Sequence, residues 1–125
     1  MDTLLLGGFM TDVKVLTVSE YTTEPYGRYI DDGDGNGEEY RTDYIMPILK
    51  KGHNLIIKLD GVEDEYGSSF VVEAFANLIR KENMTYDEVK QRITFISDHQ
   101  DWLDEIEYYL TEAKNDIHKR ILMHG

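Results

Sequence analysis

Apolar and polar positions alternate loosely along Val13-Lys14-Val15-Leu16-Thr17-Val18, and β-branched residues dominate, which predicts a strand. Leu4-Leu5-Leu6 adds an edge strand, or extends the same strand past a Gly7-Gly8 bulge. The clearest strand is Asn54-Leu55-Ile56-Ile57-Lys58-Leu59-Asp60, a near-continuous apolar run between Gly52 and Gly61. A run of that kind suits a central strand buried on both faces. Gln91-Arg92-Ile93-Thr94-Phe95-Ile96 predicts a third strand.

Between these strands the period lengthens. Residues 38–51 begin with Glu38 and Glu39, close with Lys50 and Lys51, and stop at Gly52, as a helix should. Pro47 lies inside that segment; without an N–H and with its ring against the preceding turn, it should kink or split the helix. A second helix opens at Ser68 or Ser69 and runs to Arg80, with Phe70, Val71, Ala74, Phe75 and Leu78 on one face. Residues 85–89 suggest a single helical turn. Ser97 or Asp98 then caps a long last helix reaching Leu122. Its expected buried stripe is Trp102, Ile106, Tyr109, Leu110, Ala113, Ile117 and Ile121.

Strand and helix alternate three times, which predicts an α/β domain with an open sheet covered by helices. At 125 residues the chain makes one domain, 1–125. In such sheets, sites form beyond the carboxyl ends of the strands, which points to the turn at residues 60–69. Charge narrows the function: 13 basic against 25 acidic side chains give a net −12, which argues against nucleic acid and anionic lipid as partners. The absence of cysteine excludes a disulfide framework, a thiolate zinc site and cysteine nucleophiles. No run approaches the roughly 20 apolar residues of a membrane span, and the first nine residues are too short a signal, so a cytoplasmic location is expected.

Two segments carry candidate chemistry. In Gly67-Ser68-Ser69-Phe70 a serine hydroxyl either caps the following helix or serves as a phosphorylation switch or interaction knob. The Gly/Asp-rich loop 31–43 offers Asp32, Asp34, Asn36 and Asp43 with calcium-loop spacing around Gly37. Glu39 replaces the usual apolar residue there, Asp43 is shorter than the usual glutamate, and residues 24–29 make no entering helix. Calcium or small-ligand sensing is therefore the alternative reading rather than the leading one. The four histidines share no metal-ligand spacing, and Tyr66-Gly67-Ser68-Ser69-Phe70 is no nucleophile elbow. No catalytic residue, cofactor or enzymatic activity is expected.

Leu59-Asp60-Gly61-Val62, Tyr66-Gly67-Ser68-Ser69-Phe70, Glu73-Ala74-Phe75 and Leu78-Ile79-Arg80 together resemble the STAS-like family. These are small bacterial proteins related to the anti-sigma factor antagonists. Gly27-Arg28-Tyr29, Asp32-Gly33, Gly37-Glu38-Glu39-Tyr40-Arg41, Pro47 and Leu49 extend the resemblance, which spans roughly residues 26–110. It implies a mixed sheet of about four strands with helices mainly on one face. It also implies a regulatory interaction module, with Ser68, and Ser69 beside it, as phospho-acceptor. The implied partner is an ATPase or kinase of the GHKL type, meeting Asp60, Tyr66, Gly67, Phe70 and Glu73; self-association is compatible with it. Gly67 and Phe70 stand where the antagonists carry an aspartate and a glycine.

Overall fold

The computed structural model describes the backbone of residues 2–6 and 9–124 and the side chains of residues 12–124. Three strands run parallel, in the order β2 (Phe9–Thr17), β3 (Asn54–Lys58), β4 (Ile93–Ile96). Along the outer side of β2, β1 (Asp2–Leu6) pairs antiparallel. Leu4-Leu5-Leu6 is therefore an edge strand; the expected bulge at Gly7-Gly8 lies outside the described residues.

The sheet is buried unevenly. Leu55 and Ile57 of β3 are fully covered by helices, whereas Ile56 is half-buried, and Val15 and Ile96 on its face are exposed. The central strand is thus buried on one face and only partly on the other, because the helices gather on the Leu55–Ile57 side.

After a short helix α1 (Val18–Tyr21), the segments Gly37–Glu39, Tyr40–Ile45 and Met46–Lys50 run on as one helix, α2. Its middle segment is a π turn ending just before Pro47, which lies in the first turn of the next segment. The wider turn accommodates a ring that would clash in a regular α-helix. Asn36 caps the start, its side chain accepting from the Glu39 N–H at 2.7 Å.

The segments Ser68–Val71, Val72–Ala76 and Asn77–Lys81 likewise form one helix, α3, again with a π turn in the middle. The sequence suggested a single apolar face. In fact every residue from Ala74 to Ile79 is buried, since α3 is covered by α2, the sheet and the last helix. A helix enclosed all round is the central element of its core.

Residues 85–89 form part of a two-turn helix, α4 (Tyr86–Arg92), rather than one turn. Thr85 and Glu88 close a capping box at its start. At its end the Arg92 guanidinium donates to the Leu49 and His53 carbonyls at 2.8 and 2.7 Å, so Gln91 and Arg92 belong to the helix and not to β4. The last helix, α5, spans Gln100–His124. Ser97 and Asp98 do not cap it; both are bound to Asp60 instead. Of its stripe, Trp102, Ile106, Leu110 and Ala113 are buried, Tyr109 and Ile117 are half-buried, and Ile121 is exposed. No helix among the described residues is long and apolar enough to cross a membrane.

Candidate functional site

The carboxyl ends of the three parallel strands gather three loops at one edge. Residues 22–36 follow α1, residues 59–67 follow β3, and residues 97–99 follow β4. Backbone bonds tie the first two: the Glu63 N–H donates to Thr23 and the Gly67 N–H to Pro25, both at 2.9 Å. Asp60 ties the third, accepting from the Ser97 hydroxyl at 2.5 Å and from the Asp98 N–H at 2.9 Å. These donors, led by Ser97, hold the Asp60 carboxyl below its usual range. A lowered carboxyl contributes stability above its unfolded-state range, and that contribution is lost as pH falls through the folded-state value. Asp60→Ala should cost about 1–2 kcal/mol at neutral pH. The urea midpoints of variant and wild type should converge on acidification; a gap that persists at low pH would contradict this assignment.

Ser68 opens α3 from this edge. The residue in the capping position is Gly67, with extended backbone, so both serines fall inside the first turn and neither caps the helix. Ser68 is exposed and Ser69 half-buried, and neither hydroxyl makes a hydrogen bond among the described residues. The hydroxyls of Thr85 and Ser97, by contrast, are committed to a cap and to Asp60. Packing explains why residue 67 is glycine. A Cβ there would sit 3.1 Å from Tyr26 Cα and 3.4 Å from its carbonyl oxygen, so an aspartate requires the Tyr26 backbone to give way by a few tenths of an ångström.

The remaining residues expected to meet a partner lie inside. Tyr66, Phe70 and Glu73 are buried, so in this conformation they offer a partner no surface. Tyr66 donates its hydroxyl to the Leu59 carbonyl at 2.6 Å and sets its ring against Phe70 and Trp102. Burial pushes its phenol well above the usual range, keeping it a donor. Phe70 packs between Tyr40, Tyr66 and Phe75. What faces outward is Ser68, the acidic Glu63-Asp64-Glu65, and Tyr26, Tyr29 and Ile30 of the neighbouring loop. Glu105 on α5 is pushed upward by burial and then by Glu65 and Asp101, a sign of crowded negative charge at this edge.

Glu73 belongs to a buried ionic cluster that the sequence did not disclose. Within the π turn, the Asn77 N–H reaches back to the Val72 carbonyl, and the Glu73 carbonyl accepts from Arg41 Nη1 at 2.5 Å. The same Nη1 lies 2.7 Å from Glu73 Oε2, which also accepts from Lys81 Nζ at 2.8 Å and Asn77 Nδ2 at 3.0 Å. Arg41 Nε pairs with Glu82 at 3.0 Å. Burial raises the Glu73 carboxyl, but Lys81, Asn77 and Arg41 together outweigh it and hold it below its usual range. Arg41 and Glu73 are 32 positions apart, and a lone arginine on a polar helix gives no sign of its partner.

The calcium-like loop is occupied by its own backbone. Asp32 accepts from the Tyr29 and Arg28 N–H groups at 2.8 and 3.2 Å. The Asn36 side chain is spent on Gly33 and Glu39, and Asp34 and Asp43 are exposed. Among the described residues no three His, Cys, Asp or Glu side chains converge as a metal site would require.

A family model described as a STAS-like domain of unknown function (DUF4325) matches residues 37–101, just over half of the chain. The chain belongs to this family. The match runs from the first residue of α2 into the first turn of α5, so it contains β3, β4, the Ser68 turn and both members of the Arg41–Glu73 pair. The loop 22–36 and most of α5 lie outside it. Comparison with curated proteins and with solved structures gave no match to this STAS-like domain.

Proposed function

We propose that this STAS-like domain is a regulatory interaction module, without catalytic activity of its own, switched by phosphorylation of Ser68. The supporting observation is the state of that side chain. Its hydroxyl is exposed, lies in the first turn of α3, and is used neither as a cap nor in any hydrogen bond among the described residues. A structural serine would be bound as Ser97 is. The resemblance to anti-sigma factor antagonists supplies the partner class, a GHKL-type ATPase or kinase acting in the cytoplasm. Transfer of the ATP γ-phosphoryl group to Ser68 Oγ would release ADP and the hydroxyl proton. The product adds about −1.5 to −2 charges beside Glu63, Asp64 and Glu65. That repulsion disturbs the loop surface which the partner reads, together with exposed Tyr26 and Tyr29. With Tyr66, Phe70 and Glu73 buried, their role in this reading is to hold α3 and its serine in place.

Sensing through loop 31–43 has less support, because Asp32 and Asn36 are already engaged with the backbone. The test is affinity capture from the native host with wild type, Ser68→Ala and Ser68→Asp. An ATPase or kinase should be retained by wild type and Ser68→Ala and lost with Ser68→Asp. Equal capture by all three would sink the switch.

A further inference from the structure

Between α3 and α4 the chain turns through Asn83, which among the described residues is the one other than glycine with a positive φ, 60°. That turn ends α3 at Lys81 and starts α4 at Tyr86 without closing the space between these helices and α5. A cavity of about 520 Å³ remains there, a size that suits a small molecule. Ile79 at the end of α3, Met84 in the turn, and Ile117 and Ile121 on α5 give it an apolar lining. Tyr86 forms another part of the wall, and its hydroxyl, donating to Glu107, fixes the ring.

The polar part of the lining carries opposite charges on different walls. Asp87 stands in the first turn of α4; Lys114, with His118 one turn further on, stands on α5. Neither Asp87 nor Lys114 forms an ion pair among the described residues, with each other or with any other side chain. Lys114 instead rests over the Tyr86 ring, with Nζ 4.9 Å from the ring centroid. Neighbouring bases are committed, Lys90 to Glu107 and both Arg80 and Arg120 to Asp116. Thr85 and Glu88 are committed as well, to the capping box of α4. The cavity thus keeps one unpaired anion, one unpaired cation and an apolar surface beside both.

We infer that this cavity binds a free α-amino acid with a large apolar side chain. The carboxylate meets Lys114 and His118, the ammonium meets Asp87, and the side chain lies on Ile79, Met84, Ile117 and Ile121. Each end of such a molecule finds the opposite charge. A carboxylate without the ammonium brings a second negative charge to Asp87, in a chain whose net charge is already −12. An amine without the carboxylate brings a second positive charge to Lys114. A purely apolar molecule takes water from both charges and gives neither a partner. The bound side chain also covers Ile121, which is otherwise 62% exposed. Ser68 lies at the opposite end of α3, about 16 Å along the helix from Ile79, so the site does not rest on the switch proposed above.

Calorimetric titration with L-phenylalanine and L-leucine tests the site. At least one should bind saturably and raise the melting temperature as its concentration grows. The analogues that lack the ammonium (hydrocinnamate, isocaproate) or the carboxylate (phenethylamine, isoamylamine) should bind at least tenfold more weakly than the parent amino acid. Lys114→Met should lower amino-acid affinity at least tenfold without weakening the amine, and Asp87→Asn should do so without weakening the carboxylate. Both side chains are exposed, so both variants should keep the wild-type fold. Amide shifts during the titration should gather at residues 79, 83–87 and 114–121. Failure of both amino acids to bind overturns the inference. So does an analogue that binds as tightly as its parent, which assigns the cavity to a carboxylate, an amine or an apolar molecule. Binding that neither variant weakens, or shifts that gather elsewhere, overturns it as well.

Discussion

Arg41→Met should destabilise the domain by about 3 kcal/mol, within the range expected when one member of a buried ion pair is removed. Arg41 and Glu73 are 3% and 1% exposed, so water cannot replace the lost donor. The substitution leaves the Glu73 carbonyl without the guanidinium and Glu82 without its Nε contact. Lys81 and Asn77 still donate to Glu73 Oε2, which holds the loss near the lower end of that range. Glu73→Met should cost a similar amount, because the buried Arg41 cannot be neutralised by losing a proton and keeps only Glu82 and the main-chain carbonyl of residue 73 as partners. The double variant should be less damaging than the sum of the two, by a coupling of about 1–3 kcal/mol. Replacing both charges by apolar groups of similar volume is often close to neutral. Urea unfolding of the four proteins at neutral pH measures this cycle. Strict additivity would mean that the two side chains act independently, contrary to the 2.7 Å contact.

The pair also has a defined pH response. The Glu73 carboxyl is lowered in the folded state, so its contribution is complete above its unfolded-state range and fades as pH falls through the folded-state value. Wild type should lose this increment on acidification, and Glu73→Met should not.

Gly37→Ala should be nearly as damaging, by about 2–3 kcal/mol, although alanine is the better helix former by about 1 kcal/mol. The reason is distance and not conformation. A Cβ at this position would lie 2.7 Å from the Phe70 carbonyl oxygen, 2.9 Å from the Ala74 nitrogen and 3.0 Å from Glu73 Cβ. Two of these three are main-chain atoms of α3, which cannot rotate away. The helices must separate, and Arg41 lies just one turn along α2 from the point of contact. The same urea series detects the effect. A Gly37→Ala chain as stable as wild type would show that α2 and α3 do not approach as closely as described. Because Gly37 also packs against the backbone at Phe70, the variant should loosen the Ser68 turn, which amide exchange at Ser68 and Ser69 would register.

Much of this domain was legible from periodicity. The run at Leu55-Ile56-Ile57, the acid-to-base gradient of α2 and the long stripe of α5 are local patterns, and a strand or helix writes its own period into the chain. The resemblance at residues 59–80 was legible for the same reason, since a contiguous turn and helix preserve a motif. What faces what is not local. Ser68 is a candidate cap in sequence, and the extended backbone of Gly67 shows that the capping position falls one residue earlier and leaves the hydroxyl free. The resemblance implies a partner contact at Glu73, yet α2 brings Arg41 over it from 32 positions away. Ile121 carried the right spacing for burial, but the body of the domain ends before the helix does. The sequence by itself determined the elements and the family; the tertiary structure decided which side chains water can reach, because burial depends on surfaces brought together from distant parts of the chain.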